Sequence, residues 1–221
     1  MKMKAKLVSL SVVAVMTFSL AAQSFAAVTP FTDLGNGKSK EKIIALQVKG
    51  VVKGIGNNKF APDAVVTAAQ GMQFLVNALG LNLDLVKFEK EPKATDYFVK
   101  ADNKAWYANA SITAAVNGLG FTKELDPNQE WTREEFTYQL VKAMELHFNL
   151  PMIKLVPAKI TDEDQLTIDY SGAIQRALHY GMVQLDAKGN FSPKSKMTRA
   201  EAADEVYNML EYMKAHPAPK Q

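Results

Sequence analysis

The chain has no cysteine, which excludes disulfides, thiolate metal ligation and thiol nucleophiles together. Histidine is scarce as well: His147, His179 and His216 are scattered, with no serine or carboxylate spacing that suggests a proton relay. No motif sets a pair apart among the 23 acidic residues, so the paired carboxylates of a glycosidase have no marker. The chain therefore reads as non-catalytic, with neither metal nor cofactor. An apolar run long enough for a bilayer is also missing from the N-terminal region. The run from Leu7 to Leu20 offers about 14 apolar and small residues where roughly 20 are needed. It follows Lys2, Lys4 and Lys6 and leads to Ser24-Phe25-Ala26, so residues 1–26 read as a secretory leader cleaved before Ala27.

A surplus of charge is absent once that leader is gone. The formal net charge is +3, and the leader's three lysines account for all of it, leaving 23 basic against 23 acidic residues. A neutral chain is a poor bulk partner for nucleic acid, or for an anionic membrane after cleavage, so any anion binding has to be local.

What the chain does contain is one pattern used three times. Thr198-Arg199-Ala200-Glu201 has the Thr-x-x-Glu spacing of a capping box, and Ala203, Val206, Tyr207 and Leu210 follow at helical intervals. Thr132-Arg133-Glu134-Glu135 and Thr67-Ala68-Ala69-Gln70 keep the box, 66 and 131 residues earlier, and each Thr stands five residues after a proline. Ahead of each box an amphipathic segment ends at a glycine (Gly50, Gly118, Gly181), and ahead of that stands an acid (Asp33, Asp96, Asp162). The acids either cap the first helix of each copy or hold a groove wall. In the middle copy Trp106, Ala110, Thr113, Ala114 and Asn117 trace the first helix. Repeats of this length are units that bury their apolar faces against one another.

The arginines are not required by the helices. A cation in the first turn opposes the helix dipole by up to about 1 kcal/mol. Beside unpaired helix-terminal amides, however, a guanidinium forms a composite donor site for a carboxylate or phosphate. On this reading Arg133 and Arg199 can be removed at almost no cost to the fold. The box residues Thr67, Gln70, Thr132, Glu135, Thr198 and Glu201 are structural caps.

These motifs resemble three tandem S-layer homology repeats. The third copy matches best, with Ile160-Thr161-Asp162, Gly181-Met182-Val183, Gly189-Asn190-Phe191-Ser192-Pro193 and Thr198-Arg199-Ala200-Glu201. The first has Phe31-Thr32-Asp33 and Lys59-Phe60-Ala61-Pro62 but places Ala68 where the family has Arg. The second keeps Arg133, has Trp106-Tyr107 at the aromatic position and shortens its turn to Leu125-Asp126-Pro127.

The resemblance implies a mainly all-α fold, a pseudo-threefold bundle of helix-loop-helix repeats. Its divisions are repeats over 27–92, 93–157 and 158–214, and a tail over 215–221. It further implies a non-catalytic module on the cell surface that binds an anionic, pyruvylated wall polysaccharide in grooves between repeats. Arg133, Arg199, Trp106, Asp96, Asp162 and Tyr170 are its implied polysaccharide contacts, and the groove that depends on Ala68 is expected to be weak or vacant. An envelope spacer or protein-interaction module that keeps the fold without the sugar is the alternative, with other envelope proteins as its partners.

Overall fold

Three threonines start the three central helices of the computed structural model, which describes residues 29–148, 150 and 154–217. Among these residues the elements are helical: α1 (Lys40–Val48), α2 (Ala68–Ala78), α3 (Ala94–Tyr97), α4 (Ala108–Val116), α5 (Arg133–His147), α6 (Ile168–His179) and α7 (Arg199–Ala215), with a 3-10 turn at Glu163–Gln165. No strand occurs among them, and none of these helices is long and apolar enough to cross a membrane. The leader, residues 149 and 151–153 near the end of the second repeat, and residues 218–221 of the tail lie outside the described residues.

Thr67, Thr132 and Thr198 are all extended, and each hydroxyl accepts the amide three residues on. The return bond distinguishes them. The amides of Thr132 and Thr198 donate to carboxylates at 2.7 and 2.9 Å, whereas the Thr67 amide donates to the Gln70 amide oxygen at 3.3 Å. The first helix of each pair ends on a glycine at positive φ, where Gly50, Gly118 and Gly181 have φ of 71, 73 and 67°. The residue after each donates back to the carbonyl five positions earlier, closing the helix in the same way three times.

The copies are joined in a ring. Val66 donates its amide to Met197, Met197 to Trp131 and Trp131 to Val66, at 2.8, 3.0 and 2.9 Å. Around that ring each capped helix packs on the first helix of the next copy: α2 on α4, α5 on α6 and α7 on α1, while α2, α5 and α7 also touch one another. The middle is aromatic and aliphatic, with Phe60, Phe136, Phe191, Leu75, Leu140 and Met144 all buried. Gly71 is needed here, since a Cβ at that position would stand 2.1 Å from the Trp131 ring.

The acids ahead of the first helices do not act alike. Asp33 accepts the amides of Phe60 and Ala61, and Asp162 those of Phe191 and Ser192, all at 2.8 Å. Each carboxylate thus holds a turn whose third residue, Ala61 or Ser192, has a left-handed φ of 57 or 59°. Partial burial works to raise the Asp33 carboxyl, but those two amides, its own backbone amide and Lys59 together hold it below the ordinary carboxylate range. Asp96 instead accepts the Lys93 amide at 2.9 Å at the start of the short α3 and is exposed. Trp106 also departs from the sequence reading: it precedes α4 rather than lying on it and is 63% exposed.

Candidate functional site: two clefts with an arginine in each

The helix starts cannot offer their amides to a ligand. Arg199 and Ala200 donate their backbone N–H groups to Ala64 and Pro62 of the first copy, both at 2.9 Å. Arg133 and Glu134 donate to Ser195 and Pro193 of the third, and Ala68 and Ala69 to Gln129 and Pro127 of the second. The next amide of each helix goes to the capping threonine. The composite of guanidinium and free amides expected from sequence is therefore corrected, because every copy uses the helix amides of the copy before it in the ring to seat its own turn. What remains for a ligand is the guanidinium and the walls around it.

Arg199 is 3% exposed. Its Nε donates to the Phe60 carbonyl at 2.8 Å and its Nη2 to the Lys53 carbonyl at 3.0 Å. The guanidinium lies 4.5 Å from the Phe60 ring and 5.3 Å from the Phe74 ring. Burial brings its pKa down to about 10, with Asp33 acting in the opposite direction, so it is charged at any physiological pH. No carboxylate among the described residues lies within ion-pair distance of it. The expectation that this arginine is dispensable to the fold is overturned, since it joins two backbone carbonyls of the first copy to the third.

A cleft of about 520 Å³ opens beside it. Lys53, Gly54 and Ile55 form one wall, Gln70, Gln73 and Phe74 of α2 another, and Trp106 the rim. The lining holds two cations and no carboxylate. Gly54 is required by the wall: a Cβ there would meet the Lys59 carbonyl oxygen at 2.5 Å and the Phe31 ring at 2.8 Å. Trp106 stands edge-on to Tyr107, 5.6 Å between centroids, and presents most of its surface to solvent.

Arg133 repeats the arrangement on a smaller cleft of about 230 Å³. Its Nη2 donates to the Gln184 carbonyl at 3.1 Å, and its guanidinium lies 4.9 Å from the Phe191 ring. Its Nε is buried without a hydrogen-bond partner. Here the lining includes Glu201, Asp204 and Glu205 along with Lys42. Asp204 accepts the Ser39 hydroxyl at 2.7 Å and faces the Lys42 ammonium at 3.7 Å. Glu205 is 4% exposed and accepts the Thr137 hydroxyl at 2.8 Å. Burial pushes its carboxyl up to about 8, against the pull of Arg133 and Thr137.

Of the residues singled out from sequence, the structure brings Arg199 and Trp106 together on one cleft and puts Arg133 on the other. Asp162 is engaged by its turn and Asp96 by α3, and neither lines these clefts. Tyr170 is half-buried, stacked on Tyr138 of α5 at 4.3 Å between centroids, and lines neither cleft. Burial and the charges of Glu135 and Glu134 raise its hydroxyl pKa. Lys53, Phe74 and Glu205 were not picked out from sequence, and Phe60 only as part of its turn motif. Their signal was positional: Lys53 and Gln184 each stand three residues after the helix-ending glycine, and Phe60 and Phe191 are the turn aromatics.

Comparison with known sequences adds an independent line. The model of the S-layer homology domain matches residues 30–70 and 160–203, the stretches that hold the Asp33 and Asp162 turns. The chain is similar to the exoglucanase XynX of Acetivibrio thermocellus, at 27% identity over 183 residues covering 82% of this chain and 16% of that protein. It is similar to an amylopullulanase of Thermoanaerobacterium thermosulfurigenes, at 26% identity over 183 residues covering 82% and 9%. A cell surface protein of Thermoanaerobacter kivui shares 33% identity over 136 residues, covering 59% and 17%. The chain thus spans less than a fifth of the length of each of these relatives.

Proposed function

We propose that this chain is a non-catalytic anchoring module of the cell envelope that binds an acidic wall polysaccharide in the Arg199 cleft. Both S-layer homology matches support the family, and the ring of packed copies supports reading residues 27–92, 93–157 and 158–214 as three repeats. The aligned part of the relatives is a small fraction of proteins whose names include enzymes of polysaccharide breakdown and one cell surface protein. A module that holds such a chain at the surface is consistent with that distribution.

The observation that carries the reading is the lining of the Arg199 cleft. A fixed cation sits at its base, aromatic rings rather than carboxylates surround that cation, and an exposed indole stands at the rim. A sugar bearing a carboxylate, such as a pyruvate ketal, meets both needs: its anion pairs with the guanidinium and Lys53, and its ring face lies on Trp106. Trp106→Ala should reduce sedimentation with purified walls at least tenfold while leaving the melting temperature within about 2 °C, because the side chain is largely solvated. Walls chemically stripped of the acidic polymer should bind neither protein. Equal sedimentation of parent and variant with intact walls would defeat the site and favour an envelope spacer that has kept only the fold.

A further inference from the structure

Counted from the capping threonine, the seventh residue is Phe74 in α2, Gln139 in α5 and Glu205 in α7. Phe74 lines the Arg199 cleft and Glu205 lines the Arg133 cleft. Much else around the two guanidinium groups corresponds: each donates through Nη2 to a carbonyl, Lys53 or Gln184, and each lies over a turn phenylalanine. By the same count Gln70 and Gln73 correspond to Glu201 and Asp204, but Glu201 is held by Thr198, and Asp204 by Ser39 and Lys42, which leaves the seventh position as the acid that faces Arg133. Phe74 presents a ring to Arg199, which attracts the cation without cancelling its charge. Glu205 presents a carboxyl to Arg133.

The surroundings of Glu205 are defined on every side. From α5 come Arg133 and the hydroxyl of Thr137; its own helix adds Glu201 and Asp204; α1 adds Lys42, and Ser39 is held on Asp204. The third helix packed on α7 is α2, which carries no ionisable residue, and neither do the wall residues Met182, Val183 and Gln184. Lys42 is already engaged by Asp204 and by Asn208 at 3.1 Å. Arg133 is the cation with capacity to spare, because its buried Nε has no partner.

We propose that Glu205 determines the specificity of the Arg133 cleft: with its carboxyl neutral the cleft accepts an anion on Arg133, and with its carboxylate formed the cleft rejects one. The Arg199 cleft, with Phe74 at the same position, binds anions in either condition. This deepens the reading of the arginine clefts as anion sites and rests on it. Burial places the changeover near pH 8. Binding that requires one bound proton weakens by up to about tenfold per pH unit above that midpoint.

The test follows the Glu205 carboxyl by carbon NMR in the full chain from pH 6 to 10, with sodium sulfate as the probe and sodium chloride at matched ionic strength as the control. Sulfate should raise the Glu205 midpoint in the parent and leave it unmoved in Arg133→Gln. In Glu205→Gln, sulfate should perturb the Arg133 cleft equally at pH 6 and pH 9. A parent midpoint that sulfate does not move, or a Glu205→Gln cleft that keeps the parent's pH dependence, overturns the proposal. Should Glu205→Gln fail to fold, the parent and Arg133→Gln titrations decide alone. If sulfate behaves as stated while acidic wall polymer binds at neither cleft, the wall reading falls and the selectivity of the cleft stands.

Discussion

Arg199 and Arg133 each begin a central helix, lay a guanidinium over a turn phenylalanine and reach a carbonyl of another copy, yet their environments set them different tasks. Arg199 makes two hydrogen bonds to the first copy and is almost wholly enclosed by it. Arg133 makes one to the third copy, is only half-buried and shares its cleft with three carboxylates. The same motif residue can therefore be chiefly a tie between copies in one place and chiefly a charge in another. The walls decide which.

Mutation should separate these tasks most sharply at the arginines themselves. Arg199→Ala removes two backbone partners and opens space against Phe60, so it should cost about 2–4 kcal/mol in denaturant unfolding. Arg133→Ala should cost about 1 kcal/mol or less. Equal losses would mean that the two arginines are interchangeable structural parts.

Glu205 should give the comparison a pH dependence. A glutamate has an ordinary value of 4.5, and in the fold this one is raised to about 8. Between those values the native state holds a proton that the unfolded chain has released. The group's contribution is thus full below about pH 4.5 and is lost as pH rises through about 8, with a total of order a few kcal/mol. Thermal melts of the parent and Glu205→Gln should therefore diverge as the pH is raised, the parent losing more. Parallel curves from pH 5 to 9 would show that Glu205 is charged throughout.

Next in size is Gly71→Ala, which sets a methyl against the Trp131 ring and should destabilise by about 1–3 kcal/mol. An alanine that stabilised the protein through helix propensity would show that Trp131 can move. The smallest effect should distinguish the caps. Thr132→Ala and Thr198→Ala should cost about 1–2 kcal/mol, because each hydroxyl also donates to its box carboxylate at 2.9 or 2.8 Å, and Thr67→Ala nearer 0.5, because its hydroxyl only accepts the Gln70 amide. Three equal costs would place the value of the box in the threonine alone.

The caps and the helix-ending glycines were legible in the sequence because both are local: the box closes within four residues, and the glycine's positive φ is fixed by its own turn. The role of Arg199 was not, since its partners Phe60 and Lys53 lie 139 and 146 residues away. Nothing near Arg199 in sequence says that the neighbouring helix amides are already claimed by Ala64 and Pro62. Asp96 misled for a related reason: an acid in the right order along the chain need not meet a turn, and the shortened Leu125-Asp126-Pro127 segment has its own aspartate, which accepts the Asn128 amide at 2.9 Å. Glu205 and Phe74 could be aligned by counting, but only burial turns that alignment into a difference in chemistry.

The ring of amides through Val66, Met197 and Trp131 also constrains the order of events in time. Its last member arrives 131 residues after its first, and α1 finds its packing partner only when α7 exists, with Ser39 meeting Asp204 across 165 positions. A chain synthesised from its N-terminus therefore carries an unfinished first copy, its apolar face open, until α7 has been made. Such long-range closure slows folding and lengthens exposure to proteases and to other unfolded chains. The rate at which the final helix docks, rather than the stability of any one copy, should set how much of the protein reaches the folded state.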